Sequence, residues 1–455
     1  MMTKKNVLWT VAATAAIAAS VGLAGCSGDA SPDPSSTGTA ATGGQEAMEG
    51  QTDSGGPITV WVDPPRVPAA EAFQAAYPDI PIEVVQIDGT VGGQTVKQAF
   101  ANFDTAGDGW PDAIFFPSND DIAWATSSTS DYAADLTDLL PDVISGYDPA
   151  VLSFCDFDGE IRCLRNDAAP DVFWYNKAFF DENGYTLPTT WEEYGDLAVK
   201  IASEHPDKIS GFVGDAYAVT RYLQAANCPT NDRVSESEAH INLADPNCVR
   251  AQDLLTTMYD GGALSTQGIF DGDAAEAGAN LVMSPGAAWW GNYLFRDTWK
   301  IPAGEMTAVA PLTWNGESSP STGNEGGGLW GVSSHIKGAE LDNALVFAKF
   351  VATDPAWQVE LSTGLPGYGP VQDAWLAKLA DDAYFADVPT TQAAMKSALA
   401  AVQPYTYMLY DTGSIWTETM SPTLIGGGSM ADAFTDFGGK LVNQAKSVGY
   451  TVVDN

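Results

Sequence analysis

Histidine is scarce, with three residues in 455, at His205, His240 and His335. Each stands in a loop-like or element-end setting, which suits a surface residue better than a general base. The chain has no His-Glu-x-x-His zinc motif, no phosphate loop ending in Gly-Lys-Ser or Gly-Lys-Thr, and no Gly-x-Ser-x-Gly nucleophile elbow. No catalytic residue is assigned on this basis, although a pair of glycosidase-type carboxylates among the 59 acidic residues stays open. Basic residues are also few: 20 Lys and Arg give a formal net charge of −39 and form no cluster. Such a surface repels phosphate backbones, which excludes nucleic acid as a partner. The acids are scattered and read as a solvated surface. Asp271-Gly272-Asp273 with Glu276 is only a fragment of a calcium loop, so a polar turn is expected there, with no metal and no cofactor.

Long apolar runs are absent after the first 25 residues, where Lys4 and Lys5 precede an apolar stretch from Val7 to Leu23. The stretch closes on Leu23-Ala24-Gly25-Cys26, the pattern of a lipoprotein signal peptide with Cys26 as the lipidated residue. Ser27 to Gly56 is built from small and polar residues with Met48 its only large apolar one, so it cannot form a core and is expected to act as a flexible tether. The body beyond it has enough residues for two lobes. Cysteine is sparse too, with five residues, of which four lie in the body. An even number in an exported chain suggests two disulfides. Cys155 with Cys163 brackets an Asp-Gly hairpin turn, and Cys228 with Cys248 would close a polar loop. Zinc is the alternative, but the spacings do not suit it.

The body opens with a βαβαβ pattern: strand Ile58 to Val62, helix Ala69 to Tyr77, strand Ile82 to Ile87, helix Gln94 to Phe103 and strand Ala113 to Phe116. Ligands of such sheets sit beyond the carboxyl ends of the strands, here Asp63, Ser118, Asn119 and Asp120. Thr190-Trp191-Glu192-Glu193 reads as a capping box, Leu329 to Val332 as a strand leading into a helix from Leu341 to Val351, and the last ninety residues as helical with loops around Gly364 to Pro370 and Gly426 to Gly428.

Aromatic residues are plentiful instead, with 14 tryptophans. Trp61, Trp289, Trp290, Trp314, Trp330 and Trp416 stand within three residues of Gly, Pro, Asn or Asp rather than at clean helical core spacing. Indole faces stack on the C–H faces of pyranose rings, and nearby carboxylates and amides take hydroxyls, so the combination suits a neutral sugar. Core packing of the same tryptophans is the competing reading.

In family order the chain carries Ile58-Thr59-Val60-Trp61-Val62, then Gly109-Trp110-Pro111-Asp112-Ala113-Ile114-Phe115-Phe116, then Phe173-Trp174-Tyr175-Asn176-Lys177, Phe179-Phe180-Asp181 and Pro188-Thr189-Thr190-Trp191-Glu192-Glu193. Val282 to Trp289 and Gly326 to Val332 follow. Together these resemble the extracellular solute-binding proteins of ATP-driven (ABC-type) sugar importers, of the maltose-binding type, from Ile58 to the C-terminus. The resemblance implies an α/β, two-lobed periplasmic-binding-protein-like fold of class II, with discontinuous lobes joined by a hinge. The expected boundaries are 1–25 leader, 26–56 tether, 57–168 plus 318–364 lobe 1, and 169–317 plus 365–455 lobe 2. Crossings are expected near Asn166 to Asp171, Pro311 to Pro320 and Gly364 to Gly367.

By position it implies ligand contacts from Asp63, Phe116, Asn119 and Asp120 in the first lobe, from Trp289 and Trp416 in the second, and from Glu325 and Trp330. Trp61 and Trp290 join them as aromatic candidates. Pro117-Ser118 and the doubled Trp289-Trp290 depart from the family pattern. Few Lys and Arg argue against a glycerol-phosphate ligand. Tyr405, Tyr407 and Tyr410 offer a foothold for a metal-binding relative, but packing explains them more simply. The implied function is capture of a neutral oligosaccharide by a monomer for delivery to ABC permease subunits, tethered through Cys26 to the extracellular face of the cell membrane. A secreted glycan hydrolase and a sensing module without transport are the alternatives.

Overall fold

The computed structural model describes residues 56–87, 94–230, 232–235, 237–405 and 410–453. The expected leader, Cys26 and nearly all of the tether lie outside the described residues, as does Tyr407. The elements that place the cleft are β1 (Ile58–Val62), α1 (Val67–Ala76), β2 (Ile82–Gln86), α2 (Gln94–Ala106), β3 (Ala113–Phe116), α3 (Asn119–Thr126), β4 (Leu164–Arg165) and β5 (Asp171–Asn176). They continue with α4 (Trp191–Glu204), α5 (Pro246–Asp260), β6 (Met283–Ala287), β7 (Met306–Val309), β8 (Leu329–Val332), α6 (Ala339–Thr353), α7 (Thr412–Ile425) and α8 (Met430–Ser447).

Alternation along β1 builds the first sheet. Ile58, Val60 and Val62 are buried with Ala69, Ala70 and Phe73 of α1 and Phe347, Phe350 and Val351 of α6, while Trp61 points to the other face and meets Phe100 and Phe103 of α2 at 6.1 and 5.9 Å. The strand order is β2-β1-β3-β8-β4. β1 runs parallel to β2 and β3, with Val60 opposite Val84 and Ala113. β8 returns antiparallel, placing Leu329 between Phe116 and Arg165. A second sheet, β6-β5-β7, is antiparallel throughout, with Phe173 of the central strand opposite Pro285 and Val309.

The Thr190 and Glu193 capping box opens α4: Thr190 Oγ1 accepts from the Glu193 N–H at 3.2 Å and Glu193 Oε2 accepts from the Thr190 N–H at 3.3 Å. α1 starts earlier than the periodicity predicts because Pro68, in the first turn, has no N–H to satisfy. Gly369-Pro370 likewise begins a helix, Gly369–Leu379, instead of extending a loop. The helical C-terminal region ends in a short strand, Thr451–Val453, paired parallel to Glu238–His240. Cys155 is bonded to Cys163 and Cys228 to Cys248, with Cα separations of 5.1 and 4.5 Å.

Three chain segments run side by side between the sheets. Asp167 bridges Pro366 and Pro170 bridges Asn324. The Asp167 N–H donates to Gly327 O at 3.0 Å, Ala168 to Leu365 O at 2.8 Å, and Glu325 to Ala169 O at 2.8 Å. The middle segment is thus paired at Thr322–Gly328, beyond the Pro311–Pro320 stretch. The apolar residues of that stretch draw it into the second core, where Trp314 stacks on Trp191 at 5.4 Å.

Candidate functional site

β3 ends at Phe116, and Ser118 turns the chain into α3 by accepting the Asp120 N–H on its side-chain oxygen at 3.2 Å. This N-cap holds Asn119 and Asp120 at the carboxyl edge of the first sheet. Facing them, a π-helical segment, Val219–Gln224, presents Thr220 and Gln224, with Tyr217 just before it. The first turn of α7 contributes Thr412 and Gly413, fixed by Asp411, whose side chain accepts the Ser414 N–H at 2.8 Å. These groups, with Gly326 and Tyr405, line a cleft with about 440 Å³ of non-atom space, open solvent included.

Two acceptor oxygens in this cleft are buried without a hydrogen-bond donor among the described residues: Asp120 Oδ1 and Gln224 Oε1. The other Asp120 oxygen reaches across and accepts from the Gly413 N–H at 3.2 Å. Burial drives the Asp120 carboxyl well above the usual range, with the Asp411 and Asp121 carboxylates adding to the effect. Lys97 of α2 pairs with both neighbours, at 3.4 Å from Asp121 and 3.5 Å from Asp411. The two walls therefore already touch through the Gly413 N–H on Asp120 and through the shared Lys97 ammonium.

Behind the cleft, Arg221 is fully buried and donates to Glu325 through Nε at 3.3 Å and Nη2 at 2.9 Å, and to Asp215 at 3.3 and 3.4 Å. Glu325 Oε1 also accepts from Trp290 Nε1 at 3.0 Å, and Glu325 O from Trp289 Nε1 at 2.7 Å. Asp171 is buried against this network beside Glu325, and among the described residues no N–H or hydroxyl donor reaches either of its carboxylate oxygens. Three carboxyls share one guanidinium here. Burial, followed by the Glu325 charge, holds Asp171 well above its ordinary range, and burial raises Glu325 against the opposing pull of Arg221.

An aromatic group rims the site. Half-buried Trp289 lies parallel to exposed Phe270, 6.1 Å between centroids at 7°, and meets Tyr217 edge-on at 6.1 Å and Tyr293 at 6.0 Å.

Of the residues singled out in the sequence, Asn119 and Asp120 line the cleft and Trp289 stands next to it through Tyr217. Asn119 is engaged by Arg165, whose Nη1 donates to Asn119 Oδ1 at 2.5 Å. Asp63 is buried and paired with Arg66 at 3.2 Å. Phe116 packs against Tyr132 at 6.2 Å, and Trp61 lies under α2. Glu325 and Trp290 are fully buried in the Arg221 network. Trp330 is sealed between Phe115 and Phe347, its Nε1 donating to Asn166 Oδ1 at 2.9 Å. Trp416 packs on Phe434 and Phe437 and donates to Val213 O at 2.9 Å.

Sequence reasoning missed Tyr217, Thr220, Arg221, Gln224 and the Thr412-Gly413 turn. Two signals were available: an arginine inside the apolar stretch Ala218 to Ala226, and the Asp411-Thr412-Gly413-Ser414 cap pattern.

Comparison with known proteins accords with this architecture. A multiple sugar-binding protein of Streptococcus mutans is 25% identical over 199 residues, which cover 41% of this chain and 46% of that relative, so the match spans less than half of its length. The ABC transporter associated binding protein of B. animalis subsp. lactis Bl-04, solved with beta-1,6-galactobiose, superposes with a TM-score of 0.73 at 20% identity, covering 88% of this chain and 99% of that one. The galacto-N-biose-/lacto-N-biose I-binding protein of Bifidobacterium longum gives 0.72 at 20% identity, covering 88% and 100%. At such identities the structural likeness is one of fold, and the fold is the two-lobed one. The sequence pattern of the bacterial extracellular solute-binding proteins matches residues 62–358, most of the described body, and the chain belongs to that family.

Proposed function

We propose that the chain captures a neutral oligosaccharide in the cleft between Asp120 and Gln224 and delivers it to the permease of an ABC transporter, held at the extracellular face of the membrane by a lipid on Cys26. The observation that carries this reading is the pair of buried acceptors without a donor among the described residues, Asp120 Oδ1 and Gln224 Oε1, on two residues that line the cleft beside an aromatic rim. A buried acceptor without a donor costs about 1–3 kcal/mol, and sugar hydroxyls are donors of the right kind. Trp289 and Tyr217 supply ring faces for the apolar side of a pyranose. The names of the S. mutans and Bifidobacterium relatives point the same way.

Capture works by closure. A sugar bound to one wall gives the other wall something to bind, so the closed form gains differential affinity, and exclusion of water strengthens each hydrogen bond to Asp120 and Gln224. The permease then receives the closed form. Titration of the protein with beta-1,6-galactobiose, lacto-N-biose and maltose, followed by tryptophan fluorescence and with the sugar analysed by chromatography, tests the reading. A saturable shift with intact sugar supports it. No response to any neutral sugar, or recovery of hydrolysed product, overturns it.

A further inference from the structure

Asp171 stands where three segments of the chain meet. It opens β5 opposite Ala287 of β6, and the Ala288 N–H donates to Pro170 O at 3.0 Å, which brings Trp289 and Trp290 alongside. Its own N–H donates to Thr322 Oγ1 at 2.9 Å, and the Glu325 N–H donates to Ala169 O at 2.8 Å, so the segment that carries Glu325 is held against it. The Arg221 segment is the third. Asp171 is 3% exposed, and Glu325 and Arg221 are fully buried. In this enclosure the Asp171 carboxyl lies within hydrogen-bonding reach of the Glu325 carboxyl.

Ionised carboxylates only accept hydrogen bonds, so two neighbours in a buried site do not both stay charged at neutral pH, and the pair keeps one proton. The surroundings decide which partner holds it. Glu325 receives Arg221 Nε at 3.3 Å, Arg221 Nη2 at 2.9 Å and Trp290 Nε1 at 3.0 Å, and donors of this kind favour the charged form. No N–H or hydroxyl donor among the described residues reaches Asp171 Oδ1 or Oδ2. The other charged groups facing the pair are Arg221 and Asp215, with the Tyr217 hydroxyl near Glu325. Asp215 takes Arg221 Nη1 and Nη2 at 3.4 and 3.3 Å, so the one guanidinium is divided between Glu325 and Asp215. The proton therefore belongs on Asp171.

We propose that Asp171 is a positioning residue: as a neutral carboxylic acid it donates its proton to Glu325 and so fixes the carboxylate that anchors Arg221 and Trp290. Both anchors lead to the cleft. Arg221 belongs to the π-helical segment that presents Thr220 and Gln224, and the Glu325 backbone carbonyl accepts from Trp289 Nε1 at 2.7 Å, at the aromatic rim. Loss of the proton sets two buried carboxylates against each other, which disturbs the Gln224 wall and the rim together, so sugar affinity falls as pH rises. Asparagine at 171 still donates a hydrogen bond and does not ionise. The affinity readout rests on the cleft being the capture site, whereas the infrared readout needs no sugar, so the two readings fail separately.

The test compares the full chain with Asp171→Asn by infrared difference spectroscopy at neutral pH. One carbonyl band of a protonated carboxyl is expected in the unsubstituted protein and is expected to be missing from the variant. Raising the pH should remove the same band from the unsubstituted protein and shift its tryptophan emission over the same range, a transition absent from Asp171→Asn. Titration with beta-1,6-galactobiose, lacto-N-biose and maltose should give Asp171→Asn the parent's affinity at neutral pH, Asp171→Ala a several-fold weaker one, and the parent alone a decline at alkaline pH. No difference in the band overturns the proposal. A tryptophan transition that is the same in both proteins makes Asp171 a merely structural residue and overturns it too. Should Asp171→Asn not fold, Glu325→Gln decides: its amide donates to Asp171 and releases the proton, so the same band is expected to vanish, and its persistence overturns the proposal.

Discussion

Replacing Asp120 with alanine separates the ligand role of this carboxyl from any contribution to folding. In the free protein the carboxyl is buried, its Oδ1 has no donor among the described residues, and its other oxygen accepts from the Gly413 N–H across the cleft at 3.2 Å. Its pKa is raised by burial and by Asp411 and Asp121, so ionising it in place is unfavourable, and removing it relieves that cost while forfeiting one hydrogen bond. The two effects oppose each other, and the free protein is expected to change in stability by no more than about 1 kcal/mol. In the liganded protein the balance differs. A hydroxyl donating to a charged or strongly polarised carboxyl is worth roughly 1.5–3 kcal/mol, so Asp120→Ala is expected to weaken sugar binding by about 10- to 150-fold. Asp120→Asn, which keeps an acceptor in place, should lose less. Calorimetric titration gives the affinities and urea denaturation the stabilities. Unchanged affinity in Asp120→Ala, or a loss of affinity fully accounted for by unfolding, would remove this carboxyl from the sugar site.

Trp289→Ala removes the ring held between Phe270 and Tyr217 and is expected to cost roughly 1–3 kcal/mol of sugar affinity, read by the same titration. Gly327→Ala forces a Cβ into Arg165 and Asp167 at a φ of +91°, so a melting temperature well below the parent's is expected in a thermal scan. Burial raises Asp167 to about 6, so its folded-state pKa exceeds the unfolded one. Its contribution to stability is full below about pH 4 and is lost as pH rises through about 6, a change of about 3 kcal/mol, and Asp120, Asp171 and Glu325 act in the same direction. The melting temperature should therefore be higher at pH 5 than at pH 7.5, and Asp167→Asn should flatten the profile. Cys155→Ser with Cys163→Ser, and separately Cys228→Ser with Cys248→Ser, release loops of 8 and 20 residues and should lower stability by about 2.5–3.5 kcal/mol in urea denaturation.

Much of the fold was legible because its signals are local. β1 alternates with period two, Thr190 and Glu193 lie three apart as a capping box requires, and each cysteine pair brackets a short turn-rich loop. The placement of Asn119 and Asp120 at the cleft was legible for a different reason, since both follow directly on the carboxyl end of a parallel strand. The aromatic candidates divide on a property that local pattern does not hold. Trp330 is tied to Asn166 and Trp416 to Val213, partners more than 150 residues away in the chain, and those long-range contacts turn each indole into the core. A tryptophan beside glycine looks the same from the sequence whichever way it faces. The π-helical wall was hidden likewise, because Val219–Gln224 reads as ordinary helix and its register is set by the burial of Arg221 against Glu325, 104 residues on.

An intact neutral sugar is expected to bind between the Asp120 and Gln224 walls. The most direct measurement is a structure of the protein grown with a sugar that saturates the fluorescence titration. The expected result is density for an unhydrolysed sugar with hydroxyls donating to Asp120 Oδ1 and Gln224 Oε1 and a ring against Trp289 or Tyr217. Sugar bound elsewhere, with both oxygens still unpaired, would contradict it.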